Sequence, residues 1–259
     1  MKGCKSQRRR TTCIGALMCA NLLFTTSTLE AQQFYSDNQW VAPHGVATLV
    51  GTVGEEYSQA YLVAALIPEW EFNAQVTHYY DDPDGSSDSF TATNLFVKHR
   101  MHENEAGTSG YGFLAGTGLF PEHLAQGETT TAFQSWWATA VFTQAFADDR
   151  VFLDVLPGAM VNLDHGDSGG TAWGFTYASR MAVYGVIPQS AIVGEVFGTT
   201  GEAYAKPNYR VGIRWESPKL VIAASYSDAF DGSGGAGFEL GLMYFTDPRF
   251  CFGGCSKNR

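Results

Sequence analysis

Cysteine, basic residues and long apolar runs are all scarce in this chain, and each scarcity removes a class of protein. Of five cysteines, Cys4, Cys13 and Cys19 stand near the start, leaving only Cys251 and Cys255 in "CFGGC" near the end. A disulfide-stapled domain needs several pairs, and a zinc site needs Cys and His at set spacings. Neither pattern occurs, nor does a Gly-rich phosphate loop. Lys and Arg number 16 against 26 Asp and Glu, a formal net charge of −10. Nucleic acid is not an expected partner, because phosphate binding needs clustered cations. No cofactor is expected either. The longest apolar run in the body of the chain, "YLVAALIP", falls far short of the roughly 20 residues a helix needs to cross a bilayer. Barrels cross on much fainter signals.

What is present begins with an export signal. Lys2, Lys5, Arg8, Arg9 and Arg10 form a basic head, "TTCIGALMCANLLF" an apolar core, and "TSTLEA" a small-residue end before Gln32. That is the layout of a secretory signal peptide over residues 1–31, cut after Ala31. Its loss removes those five basic residues and Glu30, so the mature chain carries a charge of about −14. Export also means an oxidising compartment. Gly253-Gly254 could fold tightly enough to join Cys251 and Cys255 in a disulfide, with free thiols or a metal clip as alternatives.

The rest of the chain alternates with a period of two, the mark of strands with one apolar and one polar face. In "YRVGIRWE", Tyr209, Val211, Ile213 and Trp215 oppose Arg210, Gly212, Arg214 and Glu216. "FELGLMYF", "EFNAQVTHYY" and "TAWGFTYASR" repeat the pattern. About twelve such segments follow one another, near 46–53, 57–66, 69–80, 88–101, 110–119, 132–146, 150–162, 170–182, 190–197, 207–216, 219–227 and 236–245. Several exceed the usual five or six residues of a soluble strand and match the roughly 9–11 of a tilted transmembrane strand.

The connections differ by side. "IPEW", "ADD", "IPQS" and "ESPK" are short, whereas "DDPDGSSD", "PEHLAQGETT", "DHGDSGG", "GTTGEAYAKPN" and "SDAFDGSGGAG" are longer and polar. Short turns on one side and long loops on the other are what an outer-membrane barrel has. The exception is "HENEAGTSG", which runs long on the short side. Aromatic residues near strand ends read as interfacial girdles: Trp70, Tyr79, Tyr80, Phe90, Tyr111, Phe120, Trp136, Trp173, Tyr209, Trp215, Tyr226 and Tyr244.

With the final strand "ELGLMYF", the chain resembles Gram-negative outer-membrane β-barrel proteins. Glu239, Gly241 and Tyr244 match the polar residue, glycine and aromatic of their assembly signal, while Thr246 departs from it and residues continue past Phe250. In texture the chain is also similar to the transporter-like barrels associated with phenol-degradation pathways. The resemblance implies an all-β, transmembrane antiparallel barrel over residues 46–250 in the cell outer membrane, with a short tail at 251–259. It also implies outer-membrane lipid and lipopolysaccharide as surroundings and the barrel assembly machinery as a folding partner. Residues 32–45, "QQFYSDNQWVAPHG", then stay in the periplasm or tuck into the lumen as a plug.

A competing signal sits at residues 164–173, "DHGDSGGTAW", where Gly-Asp-Ser-Gly-Gly matches the nucleophile surroundings of trypsin-like serine proteases. The mechanism also needs a histidine base and a buried aspartate. Only His44 lies at a suitable distance upstream, and "VAPHGVA" does not match its expected context. Thr171 stands where the protease motif continues into proline. Asp, Gly and Ser are also the residues of tight turns, so Ser168 is expected to be loop. No histidine has serine two positions later, as barrel lipid hydrolases require. Asp81, Asp82, Asp84 and Asp88 in "DDPDGSSD" lack the closing Glu of a calcium loop. No enzyme is expected.

If Val211, Ile213, Leu240 and Leu242 face lipid, parity places Glu71, Lys98, Arg100, Asp154, Arg180, Glu195, Arg210, Arg214, Glu216 and Glu239 in the lumen. Opposed charges across a wet pore would select solutes; the same charges paired across a narrow lumen would shut it. Arg180, Arg210 and Arg214 are expected to form a basic patch, joined by Lys98 and Arg100 only if closure brings the fourth strand near. The sequence therefore predicts a channel or transporter passing small solutes, with a closed structural or adhesion barrel second and a secreted serine hydrolase third.

Overall fold

Residue-by-residue alternation sustained over 8 to 15 positions builds twelve strands. In chain order they are β1 (Ala47–Gly54), β2 (Tyr57–Ile67), β3 (Trp70–Tyr79), β4 (Phe90–Glu103), β5 (Gly110–Thr117) and β6 (Ser135–Phe146). Then follow β7 (Val151–His165), β8 (Gly170–Tyr184), β9 (Ser190–Gly201), β10 (Ala205–Glu216), β11 (Leu220–Ala229) and β12 (Gly237–Phe245). The computed structural model describes residues 37–81, 89–120, 131–165, 170–203 and 205–250. The signal segment, Ser168, most of "DDPDGSSD" and the pair Cys251 and Cys255 lie outside the described residues.

Each strand pairs antiparallel with its sequence neighbours, and β1 closes on β12 with Thr48 opposite Phe245 and Gly54 opposite Glu239. The result is a closed barrel, which leaves no strand edge unpaired. Its faces are inverted relative to a soluble protein. On β3, Glu71, Asn73, Gln75 and Thr77 are buried while Phe72 and Val76 are exposed. Val211 and Leu240, each 53% exposed, belong to an outer surface that also bears Leu62, Leu95, Phe142, Phe175, Ile192 and Leu242. Soluble monomers do not expose a continuous apolar belt of this kind. Hydrocarbon is the solvent that suits it.

Two turns at the short end share one solution. In Ile67-Pro68-Glu69-Trp70 and Ile187-Pro188-Gln189-Ser190, the ring fixes φ at the proline, and Glu69 (φ 67°) and Gln189 (φ 57°) adopt the left-handed region. These are type II turns, the second closed by Ser190 N–H donating to Ile187 O at 3.2 Å. On β7, Pro157 has no N–H to offer. The β6–β7 ladder lapses there, between Thr139–Gly158 and Phe142–Val155, and the Thr139 hydroxyl donates to Pro157 O at 3.0 Å instead.

Three aromatics expected in the girdles turn inward. Tyr79 continues the buried row of Glu71 to Thr77 on β3, and Phe90 packs beside it at 6.3 Å. Phe120, beyond the end of β5, folds into the barrel edge-on to Trp137 at 4.9 Å. Their apolar contacts inside outweigh the interfacial preference.

Candidate functional site

The register brings the predicted charges face to face. Glu71 stands opposite Lys98, Asp154 opposite Arg180, Arg180 opposite Glu195, and Glu195 opposite Arg210, all on the inward parity. Arg180 donates to Asp154 Oδ2 from Nε (2.9 Å) and Nη2 (2.7 Å). Arg210 bridges two acids, Glu195 at 2.7 Å and Glu239 at 2.8 Å, and its guanidinium lies 5.6 Å over the ring of Phe197. Tyr57 and Ser225 hydroxyls donate to Glu239 as well. Arg214 pairs with Glu216 and with the Tyr184 hydroxyl. Arginine suits these places because its fork of donors satisfies carboxylates in fixed geometry. Arg180, Arg210 and Arg214 are each about 1% exposed. A charge so buried persists only when paired and hydrogen-bonded.

The basic patch expected from these arginines is therefore neutralised where it stands, since every one of them meets a carboxylate. Arg100 differs again. It sits at the short-turn mouth, partly exposed, between Glu69 and Glu103. Lys98 is brought toward the centre by a partner outside the wall.

That partner is the segment ahead of β1, which crosses the bore. Asp37 Oδ1 lies 2.7 Å from Lys98 Nζ, and Lys98 also donates to Trp40 O. Gln39 N–H donates to Thr143 Oγ1 at 2.9 Å, and Ala42 N–H to Glu71 Oε1 at 2.6 Å. Thr143 passes the chain of contacts on, donating to Asp154 at 2.6 Å. On the opposite wall Trp40 meets Phe245 edge-on at 6.3 Å, and Ala42 and Val46 pack with Val50, Val221 and Met243. Asp37, Asn38, Gln39, Val41 and Ala42 are all buried. Gly45 (φ 87°) then turns the chain into β1.

Further toward the loops, the β4–β9 wall carries a large apolar cluster on its inner face, interspersed with buried Thr139, Thr176 and Thr199. Phe96, Leu114, Phe120, Trp137, Val141, Leu156, Met160, Ala178 and Phe197 form one cluster. These residues were not among the predicted lumen set. Their signal was the loss of alternation in "SWWATAVF" and "VLPGAMV", where both faces of a strand are apolar. By contrast the inward face of β3 is polar along most of its length, from Glu71 through Asn73 and Gln75 to Thr77. Beside it lie Asn94 and Lys98 of β4. The interior thus has a polar stripe facing an apolar wall, with the N-terminal segment laid across one end.

Twelve antiparallel strands closed on themselves, apolar without and charged within, define a transmembrane β-barrel of the outer-membrane type. No protein-family model matches the sequence, and no curated protein matches it. Among solved structures the chain is similar to an outer membrane channel from Pseudomonas putida F1, at 15% identity over 79% of this chain and 96% of that one, with a TM-score of 0.49. It is also similar to LpxR from Salmonella typhimurium, at 9% identity over 78% of this chain and 100% of that one, with a TM-score of 0.44. For OpdK of Pseudomonas aeruginosa with vanillate, identity is 10% over 79% of this chain and 76% of that one, and the TM-score is 0.32.

Proposed function

We propose that this chain is an outer-membrane channel for small solutes, shut at rest by its own N-terminal segment. The observation that carries this reading is the polar stripe of β3 and β4 lying behind a separate stretch of chain. Glu71, Asn73, Gln75, Thr77 and Asn94 are wettable groups, and the wall they line would hold water once residues 37–42 left. Among the polar contacts that hold the segment are Asp37 to Lys98, Lys98 to Trp40 O, Gln39 to Thr143 and Ala42 to Glu71. Those contacts are replaceable by water, whereas the wall is held by a closed ring of strand ladders, interrupted in the β6–β7 pair at Pro157. The export signal over residues 1–31 and the outer apolar belt fit the same location. A second reading, a closed barrel with a structural or adhesive role, is favoured by the burial of the interior ion pairs.

Planar-bilayer recording of the mature chain separates the two. The wild type should be nearly silent, and the variant Asp37→Ala/Trp40→Ala should show discrete conductance steps. Asp37→Ala leaves Lys98 beside Glu71, so no unpaired interior cation is created. Silence of a variant that still folds, judged by its heat-modifiable migration, would reject the channel and favour the closed barrel.

A further inference from the structure

We infer that the open lumen prefers cations, a deepening that rests on the channel reading above. Three cations in the interior or at its mouth each stand between two carboxylates. Lys98 lies 2.7 Å from Asp37 and 3.7 Å from Glu71. Arg210 lies 2.7 Å from Glu195 and 2.8 Å from Glu239. At the mouth, Arg100 pairs with both Glu69 and Glu103. Arg180 with Asp154 and Arg214 with Glu216 are balanced pairs. Each triad carries one negative charge more than its cation neutralises.

With the segment in place, one part of the excess sits at Glu71. Glu71 Oε2 is buried and has no hydrogen-bond partner among the described residues, while Oε1 accepts from the plug. When the plug leaves, Asp37 goes with it, and Glu71 then neutralises Lys98. The surplus at Arg210 and at Arg100 remains. A lumen lined on one side by the cluster of Phe96, Trp137, Leu156 and Phe197 offers few orientable dipoles there to screen that charge. Low-dielectric walls focus the field of a few charges along the water path, and carboxylate rings admit cations while repelling anions. The solutes selected are small inorganic cations or compounds bearing an ammonium group.

The test uses the full mature chain carrying Asp37→Ala/Trp40→Ala in a bilayer with a potassium chloride gradient. The reversal potential should give a permeability for potassium several-fold above that for chloride. Adding Glu239→Gln should move the ratio toward one. If Glu239→Gln does not fold, Glu103→Gln at the exposed mouth should shift it less, in the same direction. A ratio at or below one, or a ratio indifferent to both substitutions, overturns the inference while leaving the channel standing. Absence of any conductance from a folded barrel overturns the channel, and the preference with it.

Discussion

Glu71 and Lys98 are cross-strand neighbours on β3 and β4, yet the ammonium of Lys98 lies nearer Asp37, 2.7 Å against 3.7 Å, although Asp37 is 61 positions away in sequence. The wall has placed its cation where the plug's acid can reach it, and Glu71 is left to receive the plug's backbone at Ala42. One pair of wall residues thus grips the same segment by two chemistries.

Removal of the cation should release that grip. Lys98→Met leaves two buried carboxylates without their counter-charge, a change that costs about 3–5 kcal/mol for a buried pair. The segment before Val46 should become sensitive to proteinase K in the folded barrel. Asp37→Asn added to Lys98→Met should restore part of the protection, because one of the stranded charges is gone. Equal resistance of wild type and Lys98→Met would show that the ion pair does not hold the plug.

Glycines on the two faces should respond unequally to enlargement. A Cβ on Gly116 would sit 2.3 Å from Phe96 Cβ, 2.7 Å from Leu95 O and 2.9 Å from Trp137 Cζ2, whereas one on Gly51 meets nothing within 4 Å. Gly116→Ala should destabilise the barrel by about 1–3 kcal/mol or more through overpacking, and Gly51→Ala should be close to neutral. Urea unfolding in detergent, followed by tryptophan fluorescence, reads both. A neutral Gly116→Ala would show that Phe96 and Trp137 pack loosely.

The outer belt gives the third expectation. Leu240 is 53% exposed and sits midway along β12. Leu240→Arg should cost about 2–4 kcal/mol if the position lies near the bilayer midplane, read as a lowered unfolding midpoint in lipid vesicles. The same substitution would be harmless on a water-facing surface, so an unaltered midpoint would count against the membrane orientation.

The pH dependence at the short-turn rim has a defined sign. Lys219 donates to Asp247 at 2.6 Å, and this contact holds the Asp247 carboxyl below its ordinary value and the Lys219 ammonium above its own. The Asp247 contribution is complete above the unfolded aspartate pKa of about 3.9 and is lost as pH falls through the lower folded value. The Lys219 contribution is complete below about 10.4 and is lost as pH rises through the higher folded value. Between those limits the contact is insensitive to pH. Both groups are exposed, so the effect on stability is small. NMR titration of Asp247 should show its midpoint rising when Lys219 is replaced by Met.

How much of this was legible depended on contrast within each strand. In "YRVGIRWE" apolar side chains alternate with Arg210, Gly212, Arg214 and Glu216, and the inward placement of Arg210 and Arg214 follows from parity alone. Tyr79 obeys the same rule, since it extends the odd-numbered row of β3, but its ring reads equally well as an interfacial anchor. "SWWATAVF" has apolar residues on both faces, which hides Trp137 and Val141 in the lumen behind Trp136 and Phe142 on the lipid side. Parity also says nothing about partners. It could not show that Arg210 would serve two carboxylates, or that Asp37 would cross the bore to Lys98, because both depend on how the barrel closes.

Closure has a further consequence. Phe245 and Met243 on β12 form the surface on which Trp40 and Ala42 rest, so the twelfth strand completes the seat for the segment ahead of the first. The seam of Thr48 to Phe245 therefore joins the wall at the place where the segment ahead of β1 is seated. On the channel reading, a freshly inserted copy would add no leak to the envelope that receives it.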